Sequence, residues 1–243
     1  DALNNNGIEA NMLVRDKLSD DTTVFTIKNG WRTQWNKLWE RWCIFWHLHF
    51  SKHNLFAIDI ANAGTDITQL QAFKDADVVH LAWINQGMLS LKGIEKILKT
   101  GKPLVWTMHD IWPATAVCHI TLDCRQFETQ CKDCRLLPSG IGRNLAQRTW
   151  KRKEAIERRS HIIYITCSKW LQGEAKRSAL IGQNPIECIP NPIDTSVFCK
   201  ADKAEARRKL GLPTDKRLIL FASQRVTNQN KGMGYLVDAC RKM

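Results

Sequence analysis

Apolar residues come along this chain in short continuous runs, separated by stretches with a helical period. ADVVHLAW (76–83), KPLVWTMH (102–109) and HIIYITC (161–167) are such runs, rich in Val and Ile. Strands buried on both faces read this way. Each run has a helical pattern beside it: Ser90 to Lys99 after the first, Asn144 to Arg159 before the third, and Lys169 to Leu180 after it. Strands alternating with helices predict an α/β fold with a Rossmann-like parallel sheet covered by helices. Ligands of such sheets bind beyond the carboxyl ends of the strands, where His80, Trp83, His109, Asp110 and Ser168 fall.

The pattern continues in part at both ends. Asp1 to Asn6 read as the tail of a helix, Gly7 as its C-cap and Glu9 to Val14 as a strand, the second half of a βαβ unit. IECIPNPIDTSVFCK (186–200) breaks the rhythm with two prolines and no period, which suits a connection between domains. Beyond it, Asp202 with Glu205 forms a capping pair for a short helix closed by Gly211. RLILFAS (217–223) then reads as a strand and GMGYLVDACRKM (232–243) as a helix. The expected organisation is a first domain over 1–188 lacking its first strand, a linker over 189–200, and the beginning of a second domain over 201–243. Both ends read as cut from a longer chain.

One helical stretch is unusual. WRTQWNKLWERWCIFWHLHF (31–50) places Trp31, Trp35, Trp39, Trp42 and Trp46 at spacings of 4, 4, 3 and 4, along one helix face. Such a stripe either packs on the domain or lies in a headgroup layer, with Arg32, Lys37, Arg41 and Lys52 toward anionic lipid.

Composition narrows the class. With 44% hydrophobic and 25% charged residues, the 243-residue chain reads as soluble and globular. No apolar run reaches the roughly 18 to 20 residues of a membrane span, and no signal pattern opens it, so a cytoplasmic location is expected. The net charge of +12 favours an acidic partner: nucleic acid, an anionic membrane surface or a phosphorylated substrate. Nine cysteines, an odd number without a secretory signal, argue against a disulfide framework.

The densest chemistry lies in WTMHDIWPATAVCHITLDCRQFETQCKDC (106–134). His109 and Asp110 follow a strand and serve either the fold or a ligand. Cys118, Cys124, Cys131 and Cys134 are separated by five, six and two residues. That spacing allows a structural zinc, with His119 as a substitute ligand, or unconnected thiols, or a redox or disulfide pair. Four thiolates would close a zinc site to substrate, so the ion would staple the loop. Ser168 is placed to N-cap the following helix, whose first amides could also hold a phosphate or an acceptor hydroxyl. Arg225 and Lys231, in the polar loop of SQRVTNQNKGMGYL (223–236), are either solvated or form a diphosphate cradle.

Taken in order, ADVVHLAWINQGMLSL, KPLVWTMHDIWPATAVCH, CKDC, ITCSKWLQGEAKRS, IPNPIDTSVF and FASQRVTNQNKGMGYL resemble bacterial retaining glycosyltransferases of family four, the nucleotide-sugar-dependent group with the GT-B fold. The likeness is to a subgroup with a cysteine-containing insertion and runs from about residue 60 to 243. It implies two Rossmann-like domains across a cleft, the first nearly complete here and the second just beginning. It also implies a nucleotide-sugar donor and a polysaccharide or lipid-linked acceptor at the inner membrane face. His109, with Asp110 beside it, would stand near the transferred sugar. Arg225 and Lys231 would bind the donor diphosphate, so that no metal is required for catalysis. His80, Trp83, Asn85 and Ser168 fall on the acceptor side.

The chain departs from the family pattern at Ala82, where a second histidine is usual, at Ala116-Val117 in place of Gly-Gly, and at Arg135 in place of Pro. The glycine-rich loop after the first strand and the acidic E-x7-E motif are missing, so an inactive piece is expected as readily as an active one. Two rivals remain: a non-catalytic remnant that binds a partner, and a zinc-stapled basic module for nucleic acid. Scattered basic residues and the lack of a nucleic-acid motif weigh against the second. The basic run KRKEAIERR (151–159) reads as a solvated helix face or a surface for lipid and phosphate.

Overall fold

The computed structural model describes residues 2–27, 30–138, 141–223, 226 and 229–242, with the side chains of 30, 141–144 and 229 left out. The chain divides into two compact units, Asp1–Asn191 and Pro192–Met243.

In the first unit, α1 (Ala2–Asn5) closes at Gly7, whose φ of 78° suits a glycine C-cap. It leads to β1 (Met12–Val14), paired in parallel with β2 (Val24–Thr26), a strand too short to stand out in the sequence. The Trp-rich helix follows as α2 (Gly30–His47). Then come α3 (Gln71–Asp75), β3 (Val79–Leu81), α4 (Leu91–Lys99), β4 (Leu104–Met108), α5 (Ile141–Glu157), β5 (Ile163–Thr166), α6 (Lys169–Lys176) and β6 (Ile186–Cys188). The four last strands form one parallel sheet in the order β3-β4-β5-β6, with Val79 beside Leu104, Val105 beside Ile163 and Tyr164 beside Ile186.

The local chemistry explains these elements. Ser90 Oγ accepts from Gly93 N at 3.1 Å to open α4, which then buries Leu91, Ile94 and Ile97 on one face. Leu104, Trp106 and Met108 alternate inward along β4, and the Trp106 ring stacks on Tyr164 from β5. The strand β6 opens the stretch without period (186–200) and ends just before the expected linker over 189–200. Its sequence is short and proline-flanked, and its pairing comes from β5, with Tyr164 N donating to Pro185 O and Ile189 N to Thr166 O. Close approach fixes one glycine: a Cβ on Gly87, already at φ 79°, would meet the Lys37 nitrogen of α2 at 2.5 Å.

The second unit holds α7 (Lys203–Lys209) and α8 (Met233–Arg241). Asp202 caps α7 by accepting from Glu205 N at 2.7 Å, and Gly211 follows with φ 64°. The expected strand over 217–223 does not form: these residues carry no regular structure, and Leu220 is 91% exposed. A strand is completed only by a neighbour, and none of this unit's described residues supplies one. No described residue of this unit is buried. Among the described residues, no helix is long and apolar enough to cross a membrane.

Candidate functional site

The loop after β4 is organised by a chain of polar contacts. Asp110 Oδ1 accepts from Trp112 N at 2.9 Å, which starts a 3-10 turn over Trp112–Ala114. Asp110 Oδ2 lies 2.7 Å from Nδ1 of His119, and His119 Nε2 lies 2.5 Å from Asp59 Oδ2. Both ring nitrogens of His119 thus face carboxylate oxygens, which holds the imidazole in one orientation. The other Asp59 oxygen pairs with Arg41 of α2, which also donates to Leu55 O at 2.6 Å and Ile58 O at 3.2 Å. Glu40 Oε1 takes the amides of Ile60 and Ala61, and burial raises its pKa against the pull of Arg41. These partners offset much of the cost of burying the charges, while Glu40 Oε2 and Arg41 Nε are buried without a hydrogen bond. The inner face of α2 thus holds Asp59, which holds His119, which holds Asp110 beside His109.

Beyond the ends of β3 and β4 lies a shallow depression lined by Trp83, Asn85, Thr107, His109 and Asp110 among others. His109 is exposed, and Trp83 is half-exposed, with its ring 6.3 Å from that of His119. Asn85 is only 5% exposed, yet its Nδ2 has no hydrogen-bond partner. A buried amide donor facing a depression is satisfied when a ligand oxygen or water arrives. His80 Nε2 lies 2.7 Å from Thr107 Oγ1, and partial burial together with the charge of His109 lowers its pKa.

The structure therefore brings His80, Trp83, Asn85, His109 and Asp110 to one end of the sheet. Both Asp110 oxygens are already engaged by the chain, so its geometry is that of a positioning group. Ser168 sits at the end of β5 as the N-cap of α6, accepting from Leu171 N at 3.2 Å. Lys231 is exposed in a 3-10 turn (Gln229–Lys231) of the second unit, and Arg225 lies outside the described residues.

Cys118, Cys124, Cys131 and Cys134 share one neighbourhood without a disulfide. Burial pushes the Cys118 thiol up to about 11 and the Cys131 thiol up to about 12, and nearby cysteines add to both shifts. His119 is committed to its two carboxylates rather than to this cluster. Among the described residues, no three His, Cys, Asp or Glu side chains stand where they could hold a metal ion.

Lys153, like the Asp59–His119 pairing, is a feature that sequence reading misses. The run 151–159 looked like a surface, but Lys153 is buried, with Nζ donating to Trp112 O at 2.6 Å and Thr115 O at 2.9 Å, 3.3 Å above the Trp112 ring. Burial pushes its pKa down to about 7. Its spacing on α5 carried a faint signal, since Ala146, Thr149, Trp150 and Lys153 fall on one helix face and all are buried.

The family model for Glycosyltransferase Family 4 matches residues 46–197, more than half of the chain. No curated protein matches the chain, and no solved structure does.

Proposed function

We propose the following for this chain, which belongs to glycosyltransferase family 4: it is the acceptor-side part of a retaining enzyme that moves a hexose from a nucleoside diphosphate sugar. The acceptor is a polysaccharide or lipid-linked glycan at the cytoplasmic face of a membrane, in cell-surface glycan synthesis. The observation that carries this reading is the depression at the sheet end, where exposed His109, half-exposed Trp83 and the unpartnered Asn85 Nδ2 converge. An apolar ring beside a few directed donors suits a sugar, whose faces are apolar and whose edges are hydroxyls.

In this reading the bond from the sugar's anomeric carbon to the diphosphate breaks, with its electron pair going to the leaving phosphate. The acceptor hydroxyl attacks from the same face and gives its proton to a phosphate oxygen. Arg225 and Lys231 take up the developing charge, and His109 contacts the sugar. Asp110, held by Trp112 N and His119, fixes where His109 emerges. His80, Trp83 and Asn85 face the acceptor, and the amides after Ser168 offer a phosphate site. The four cysteines lie apart from this chemistry; a structural zinc among them does not fit their described placement, and the metal content of the purified chain tests it.

The test is calorimetry and turnover with a panel of nucleoside diphosphate sugars on the full-length protein. One donor should bind, and Lys231→Ala should abolish that binding. His109→Ala should leave stability unchanged and lower turnover by about 100-fold or more. Binding of no donor, or equal binding by Lys231→Ala, would refute the reading.

A further inference from the structure

Helix α2 is built inside out. It buries Thr33, Glu40 and Arg41 together with Ile44, whereas Trp31, Trp35, Trp39, Trp42 and Trp46 are between 47% and 78% exposed and Leu38 is 61% exposed. At about 100° per residue, these six exposed side chains occupy an arc of roughly 100° pointing away from the core. The stripe continues past the helix, where the Phe50 ring meets Trp46 edge-on at 5.2 Å and Phe45 at 5.5 Å. The chain turns through left-handed backbone at His49 (φ 52°) and Phe50 (φ 62°) as α2 ends, with Phe50 N donating to Phe45 O at 2.9 Å. This turn leaves the Phe50 ring 54% exposed beside the stripe.

The charge around this face has one sign. Glu40 is the sole carboxylate between residues 30 and 58, and it is buried. Arg32 and Lys52 are exposed. We propose that the outer face of α2, extended by the Phe50 turn, docks onto an anionic lipid bilayer, with the helix in the plane of the headgroups and its indoles at the interface. Indoles favour that layer, where an apolar ring body and a polar N–H are both accommodated. Basic flanks without an exposed carboxylate match anionic headgroups. A second copy of the same face is disfavoured as the occupant, because a two-fold pairing would set these cations against their own copies.

This deepens the membrane-side acceptor proposed above and rests on it for its purpose, but its test needs no sugar. The chain is sedimented with vesicles of phosphatidylcholine, with and without phosphatidylglycerol. Binding to the anionic vesicles should be at least about tenfold tighter, fall with salt and shift tryptophan emission to the blue. Trp35→Ser/Trp42→Ser should weaken that binding by about tenfold or more, with an unchanged circular dichroism spectrum, since both rings are exposed. Absence of vesicle binding, equal binding to both lipid mixtures, or an unaffected double variant would overturn the proposal. So would self-association that the double variant abolishes, which would assign the face to a second copy. Donor binding measured on the same variant stays intact, so a failure here is distinct from a failure of the transferase reading.

Discussion

The ten tryptophans of this chain fall in regions that treat them in opposite ways. Around β4 and α5, Trp106, Trp112 and Trp150 are 4%, 1% and 2% exposed, and the indole N–H groups of the first two donate to Ala82 O and Asp59 O. Along α2, five indoles face outward while Glu40 and Arg41 face in. Aromatic density alone therefore does not say which way a helix turns. The deciding term is what the polar residues require. Arg41 reaches Asp59, Leu55 O and Ile58 O only from the inner side, and Glu40 reaches two backbone amides there. Those bonds fix the roll of α2, and the tryptophans opposite are left outside.

The sharpest way to break this comparison is Asp59→Ala. It leaves Arg41 buried without its carboxylate and frees one side of His119. Removing one partner of a buried ion pair typically costs about 3 to 5 kcal/mol, and urea denaturation should show a loss of that size. A loss near zero would mean that the inner face of α2 does not hold the helix. Asp59→Asn keeps the shape and should recover part of the loss through its amide oxygen.

Sequence and structure agree where the signal is local. The runs around β3, β4 and β5 are apolar on their own account, and Ser90, Ser168 and Asp202 cap helices from the positions where the sequence puts them. His109 and Asp110 were legible because a strand end is legible. Asp59 was not, because its partner His119 lies 60 residues away and nothing near Asp59 announces the pairing. The run 217–223 failed for the converse reason: it has a strand's composition, but it pairs with no strand among the described residues. For α2 the period foretold the stripe but was silent on its direction, which long-range polar contacts decide.

Lys153 offers a milder test on the buried side of the comparison. Its pKa falls from the ordinary 10.5 to about 7 because burial disfavours the ammonium form. Between those values the unfolded chain holds a proton that the folded chain lacks, so stability rises with pH across that window. The contribution is complete above about pH 10.5 and is lost as pH falls through 7. Lys153→Met keeps the stem packed on Trp112 and removes the titration. The stability of the wild type relative to the variant should therefore climb by about 2 to 4 kcal/mol from pH 7 to 10. Parallel curves for the two proteins would show that Lys153 does not carry the shift.

The smallest expected effect is the most informative about the exposed side. Trp39 is 47% exposed, the least of the five, so it is the likeliest of them to contribute to packing on α2. Surface substitutions away from caps and ion pairs usually change stability by within about 0.5 kcal/mol, and Trp39→Ser should stay within that range in urea. A large aromatic side chain kept where its removal costs the fold so little is not maintained by folding. If Trp39→Ser instead costs as much as a core truncation, about 3 kcal/mol or more, the indole stripe packs on this chain in solution. The contrast between the two tryptophan regions would then collapse, because both would belong to the core.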